Sequence, residues 1–180
     1  DKYFFILFSI IPISIIIGPS VSLVNILLVD LSFIFLLFYK KDFTFLKSDT
    51  VRLILLLYLY LIFNSLISQN FSLGIARNFG FIRWAIFFIA FNYFFYNKFF
   101  FNKIFMIWTV LIAIMCFDVY FEIYFGKNIL GYGGAEFGKR IVSFFKDEPI
   151  VGGYINAFYL IIVGYLYSQF KNYSRIYQIT

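Results

Sequence analysis

Long apolar runs separated by short polar gaps make up almost the entire chain. Six such runs stand out, at 3–17, 21–39, 51–68, 78–96, 104–125 and 150–167. About 20 helical residues cross a hydrocarbon core of about 30 Å, whereas a membrane β-barrel needs short alternating segments. The pattern therefore predicts an all-α fold, a polytopic helical membrane protein with about six transmembrane helices.

The composition favours a single helical membrane domain over residues 1–180. Hydrophobic residues make up 63% of the chain, charged residues only 13%, and the mean hydropathy is +0.90. A soluble domain of this length could not bury so much apolar surface. The formal charge of +6 lies mostly in the short gaps and forms no continuous basic face, so no nucleic-acid partner is expected.

The distribution of basic residues predicts the orientation in the membrane. Alternate gaps carry most of the lysines, including Lys40 and Lys41 after the second run and Lys98 and Lys103 after the fourth. Because short cytoplasmic loops are enriched in lysine and arginine, both termini are predicted to be cytoplasmic. The long loop 126–149 is then on the outer side of the membrane.

Several kinds of site are excluded by residue counts and spacing. Histidine is absent and Cys116 is the single cysteine, so these residues supply no histidine base, cysteine metal cluster or intrachain disulfide. The loop glycines match neither a Walker A loop nor a dinucleotide-binding fingerprint. We therefore expect no nucleotide cofactor and no metal site built on histidine or cysteine.

The stretch 118–153 holds seven of the eleven glycines and most of the candidate chemistry. Asp118 and Glu122 are four residues apart, hence on one helical face, about 12 Å and 6 Å inside the outer boundary. Arg83 is predicted at a similar depth, about 9 Å below Arg77 on the neighbouring span. Two interpretations remain open: a buried ion pair between Arg83 and one of the carboxylates, or a polar vestibule in which the carboxylates orient arginines toward an anion.

Arg140 lies in the middle of the glycine-rich loop and is the candidate phosphate ligand. Its planar guanidinium can bind two phosphate oxygens at once, and the neighbouring glycines allow close backbone approach to an anion. A salt bridge from Arg140 to Glu136 or Asp147 is the alternative.

Asp30 lies in the middle of the second run. A carboxylate at membrane depth is expected to face protein rather than lipid, and such residues are commonly functional. Nothing nearby in the sequence completes a site, so an interhelical hydrogen bond or a protonated structural aspartate is the favoured interpretation.

Two segments carry a resemblance to a known family. The first is ARNFGFIRW, and the second is FDVYFEIYFGKNILGYGG followed by GKRIVSFFKDEPIVGGY. Their order and spacing resemble the bacterial O-antigen ligase and O-antigen polymerase family. The matching residues are Asp118, Glu122, Gly126, Asn128, Gly131, Arg140, Phe144, Asp147, Glu148, Gly152 and Tyr154.

The resemblance implies a membrane glycosyltransferase that uses an undecaprenyl-diphosphate-linked glycan on the periplasmic side of the bacterial inner membrane. The acceptor would be a growing polysaccharide or a lipid A core. No metal or other cofactor would be needed. Arginines would hold the diphosphate, a role that falls on Arg140, with Arg83 and Arg77 as further candidates. Acidic residues would orient the substrate or those arginines: Asp118, Glu122, Asp147 and Glu148. Family members are about twice as long, so these residues are expected to be an amino-terminal half.

Two other classes of function remain open. Intramembrane charges also mark substrate paths in transporters, so a transporter or flippase of lipid-linked glycan is the main alternative. A purely structural membrane subunit, in which charges only fix helix packing, is the third.

Overall fold

The protein is all helical over the residues that the computed structural model describes, which are 2–41, 43–69, 71–95, 98–134, 140–146 and 148–170. Within those ranges the α-helices are α1 Lys2–Ile17, α2 Pro19–Lys40, α3 Asp49–Leu66, α4 Phe71–Phe79, α5 Ile82–Phe95, α6 Lys98–Phe125 and α7 Val151–Phe170. Short 3-10 turns occur at Thr44–Lys47 and Ser143–Phe145. The predicted all-α class is confirmed.

Four helical segments in the described ranges are long and apolar enough to cross a membrane. They are Pro19–Lys40, Asp49–Leu66, Phe71–Phe94 and Phe100–Phe125. Helix α1 and the stretch Val151–Tyr167 of α7 are apolar but shorter. Large apolar side chains also cover outward faces, as on α3, where Leu53 is 67% exposed. Such faces require lipid or further protein around them, which fits a helical membrane protein.

Helix α4 covers most of the short connection between the third and fourth apolar runs and the first residues of the fourth run. It ends at a turn that contains Gly80, after which α5 begins. The side-chain amide of Asn78 donates to the Leu61 carbonyl at 2.9 Å and to Ser65 Oγ at 2.7 Å. These bonds fix α4 against the end of α3, so tertiary contacts stabilise a helix that hydropathy alone did not predict.

The chain divides into two compact units. The first comprises Asp1–Phe8 and Ser20–Phe100, and the second comprises Ser9–Pro19 and Phe101–Thr180.

The first unit has an aromatic core. The ring of Phe8, fully buried, lies 5.7 Å from that of Phe91 and 6.0 Å from that of Phe94. The ring of Phe33 on α2 lies 5.5 Å from that of Tyr93 on α5. Edge-to-face and tilted contacts of this kind favour one mutual arrangement of the helices.

The second unit is also built on aromatic pairs. The rings of Phe105 and Tyr165 stack at 4.3 Å, and those of Trp108 and Phe158 meet edge to face at 5.3 Å. These contacts hold α6 against α7. The loop between the two helices is therefore attached at both ends to packed helices.

Candidate functional site

The loop after α6 begins where Gly126 ends that helix. Gly126 has a φ of +79°, and its N–H donates to the Glu122 carbonyl at 2.8 Å, a helix cap that favours glycine. The next turn of the loop is formed around Asn128. The side-chain oxygen of Asn128 accepts from the N–H groups of Leu130 and Tyr132 at 3.0 and 2.7 Å. An asparagine that bonds its own turn in this way fixes the turn geometry.

Two buried carboxylates on α6 bind the returning part of the loop. Glu122 is 3% exposed and accepts from the N–H groups of Val142 and Ser143 at 3.1 and 2.6 Å. Asp118 is fully buried and accepts from the Ser143 hydroxyl at 2.5 Å and from the Ile129 N–H at 3.0 Å. Buried carboxylates need such donors, and hydrogen bonds to charged groups are strong. The two side chains therefore hold the loop against the helix.

Residues 142–145, hereafter the anchor segment, are the most firmly held part of the loop. The carbonyl of Ser143 accepts from the Asn128 side-chain amide at 2.8 Å, so the N–H, hydroxyl and carbonyl of this serine are all bonded. Its φ of +48° is rare for a residue with a side chain and persists only where the surroundings enforce it. The buried ring of Phe145 packs 5.2 Å from that of Tyr154.

Tyr154 joins the anchor segment to the rest of the second unit. Its hydroxyl donates to the Pro12 carbonyl at 3.2 Å, and its ring lies 4.8 Å from that of Phe158. The anchor segment is therefore supported by packing as well as by hydrogen bonds.

Position 133 requires glycine because the Glu122 carboxylate occupies the space of a side chain. An added Cβ would lie 2.5 Å from Glu122 Oε1, and the φ of Gly133 is +91°. We expect Gly133→Ala to lower the free energy of unfolding by about 1–3 kcal/mol through backbone strain and displacement of the carboxylate. Gly164→Ala in α7 is the control, since nothing lies within 4 Å of its added Cβ. Equal destabilisation of both variants in detergent would contradict this packing.

Arg140 lies at the surface, two residues before Val142. Its side chain is exposed, and within the described ranges no ion pair or hydrogen bond of its guanidinium is found. The alternative partners Glu136 and Asp147 lie outside the described residues. Arg140 is therefore an exposed cation two residues before the anchor segment.

Lys146 leaves the anchor segment at its other end and was not singled out from the sequence. Its side chain is exposed, its φ is +58°, and its Nζ lies 5.7 Å from the centre of the Tyr132 ring. The cation–π contact restricts the ammonium group, and strained backbone of this kind clusters at functional sites. No local pattern predicts the contact, because it joins two separate turns of the loop.

The other predicted site residues are spread over the chain. Glu148 is exposed just beyond the anchor segment, and Asp147 lies outside the described residues. Arg77 is exposed in the last turn of α4, and Arg83 is half-buried near the start of α5. The predicted pairing of Arg83 with the carboxylates of α6 would join the two units, and it stays a prediction.

In the first unit, the buried Asp30 and the half-buried Arg83 have buried side-chain atoms without a described hydrogen-bond partner. Asp30 is 4% exposed, and neither of its carboxylate oxygens has a partner among the residues described. The same holds for Arg83 Nε, and the charge of Arg83 acts on Asp30. Of the two favoured interpretations of Asp30, the interhelical hydrogen bond is not seen in this part of the chain, and the protonated structural aspartate stays a prediction. Attraction by Arg83 offsets part of the cost of burying the carboxylate.

No group of three His, Cys, Asp or Glu side chains in the described ranges is placed to hold a metal ion. No protein-family model matches the chain, and no curated protein or solved structure shows detectable similarity to it.

Proposed function

We propose that the protein is a membrane glycosyltransferase that polymerises or ligates an undecaprenyl-diphosphate-linked O-antigen or a similar surface polysaccharide. The observation that carries this proposal is Arg140, an exposed guanidinium two residues before a loop segment that two buried carboxylates hold in place. The resemblance of residues 118–154 to the O-antigen ligase and polymerase family supports it further. In this proposal both termini are cytoplasmic and the loop 126–149 faces the periplasm.

In the proposed reaction the leaving group is the lipid diphosphate, and its developing negative charge must be stabilised. A hydroxyl of the growing polysaccharide or of a lipid A core attacks the anomeric carbon, the bond from that carbon to the diphosphate oxygen breaks, and the proton of the hydroxyl passes to water or to the departing diphosphate. Negative charge then develops on the departing lipid diphosphate. Arg140 binds it through two parallel N–H···O bonds, and its fixed position keeps reorganisation during the reaction small. Arg77 and Arg83 are secondary candidates for the same anion.

Asp118 and Glu122 act as positioning residues in this proposal. Their described partners are backbone and hydroxyl groups of the loop, so they place Arg140 through Val142 and Ser143. Glu148, with Asp147, would contribute to orienting the substrate beyond the anchor segment.

Lys146 supplies a second cation for the diphosphate. We expect Lys146→Asn to raise KM for the lipid-linked substrate about tenfold, because a charge-assisted hydrogen bond is lost. Asparagine tolerates a positive φ, so the variant removes the charge without adding strain. Lys127→Asn, on the same loop but outside the anchor segment, is the comparison. An unchanged KM in Lys146→Asn would remove this residue from the site and leave the role of Arg140 open.

Inactivation of the complete gene tests the class of function. Short surface chains, with lipid-linked repeat units present on the periplasmic side, indicate a polymerase. Unmodified lipid A core together with long lipid-linked polymer indicates a ligase. Glycan precursor retained on the cytoplasmic side would contradict the enzyme and indicate the flippase, which the buried charges of Asp30 and Arg83 favour. An unaltered polysaccharide ladder would indicate a structural subunit.

A further inference from the structure

A lateral groove in the first unit runs along the second half of α2. It has a volume of about 470 Å³ and is lined by Tyr3 and Phe4 of α1 and by two rows of α2 residues at helical spacing, Leu31, Phe35 and Tyr39 beside Ser32, Leu36 and Lys40. Residues four apart on a helix lie one above the other, so these rows form two adjacent ridges. The groove is therefore elongated along the helix axis.

The length of the groove matches one leaflet of a bilayer. At 1.5 Å per residue, Leu31 and Lys40 are about 14 Å apart along the axis, and half of a hydrocarbon core is about 15 Å. Helix α2 is one of the four candidate membrane spans, and Lys40 is its last residue. The groove thus extends from the middle of the span to its charged end.

The polar groups are distributed as a phospholipid requires. At the end of the groove near the middle of the span, the Ser32 hydroxyl donates a hydrogen bond to the Tyr3 hydroxyl at 3.4 Å, so these two groups partner each other. The walls between the ends are apolar, and Phe35 is 73% exposed. The cationic Lys40 lies at the opposite end of the groove, where α2 ends.

We propose that this groove binds an acyl chain of an anionic phospholipid from the surrounding bilayer, with the lipid phosphate at Lys40. The predicted orientation puts this end of α2 in the cytoplasmic leaflet, where anionic lipids attract basic residues near the membrane surface. The groove belongs to the first unit and the glycosyl-transfer loop to the second, and the lipid site does not depend on the function proposed for that loop.

Lipid retention by the full-length protein tests the proposal. The protein is stripped of lipid in detergent, titrated with phosphatidylglycerol or phosphatidylcholine, and its bound lipids are counted by native mass spectrometry. We expect Lys40→Gln to lower retention of phosphatidylglycerol about fivefold and to leave phosphatidylcholine unchanged. Lys41→Gln is the matched control, since this exposed neighbour does not line the groove. Its effect should stay below about twofold because its charge is screened by water and salt.

A second variant tests the apolar part of the groove. Leu36→Trp fills the space between the ridges and should lower retention of both lipids. Equal losses in Lys40→Gln and Lys41→Gln, or equal retention of the two lipids by the wild type, would overturn the assignment. Unchanged retention by Leu36→Trp would also overturn it, and would mean that another part of the polypeptide or a second copy of the chain occupies the groove.

Discussion

An Arg140→Ala variant is expected to lose about 100-fold or more of kcat/KM for glycosyl transfer, because a fixed cation at the leaving group is lost. Arg140→Lys keeps the charge but not the planar, two-pronged geometry, so a loss of about tenfold is expected. The rates are measured with the full-length protein and an undecaprenyl-diphosphate-linked glycan. Mass spectrometry of the product separates polymer growth from transfer to lipid A core.

Arg52→Ala is the control for this prediction. Arg52 forms an exposed ion pair with Asp49 at 3.3 Å, an interaction worth at most about 1 kcal/mol. Its removal should leave both the folding and the transfer rate close to those of the wild type. Full activity of Arg140→Ala would refute the proposed diphosphate site, while the helical membrane architecture would stand.

Glu122→Gln is expected to release the anchor segment while the helices stay folded. Both carboxylate oxygens accept backbone N–H groups, whereas an amide offers one oxygen and turns an NH₂ donor toward the other N–H. The free energy of local opening of this segment should fall by about 3 kcal/mol, since hydrogen bonds to charged groups are worth about 1.5–3 kcal/mol each. Hydrogen exchange at the Val142 and Ser143 amides should then speed up about 100-fold. Transfer activity should fall as well, because Arg140 is no longer held.

Glu148→Gln makes the same chemical change at an exposed position of the loop. It should leave hydrogen exchange at Val142 and Ser143 unchanged, because the Glu148 side chain has no described contact with the anchor segment. If the Val142 and Ser143 amides exchange as slowly in Glu122→Gln as in the wild type, the positioning role assigned to the carboxylate is refuted.

Part of the candidate site could be predicted from spacing alone. The four-residue separation of Asp118 and Glu122 places them on one face of α6, and both do bind the same residue, Ser143. Their partner could not be predicted in this way. Sequence reasoning offered an arginine as one of two open possibilities, because opposite charges attract. The described partners are backbone and hydroxyl groups, which a loop can bring to a buried carboxylate without burying a second charge.

Asp30 is a second residue whose burial could be predicted from the sequence but whose neighbours could not. Its depth within an apolar run predicted burial, and it is buried. The expected hydrogen bond was not found in the described part of the chain, and the charge that acts on Asp30 comes from Arg83 on α5. Which helix lies beside another is not encoded in the hydropathy of either one.

The sequence by itself determined that the chain is helical and apolar enough for a membrane, because hydropathy and helical periodicity are sums over neighbouring residues. It also located the loop in which polar residues and glycines gather. Only the tertiary structure decided that Asp118 and Glu122 bind the anchor segment, that Arg140 is exposed beside it, that Lys146 lies over Tyr132, and that α4 is helical. These features depend on hydrogen bonds and packing between residues far apart in the chain, and such contacts exist only once the helices have come together.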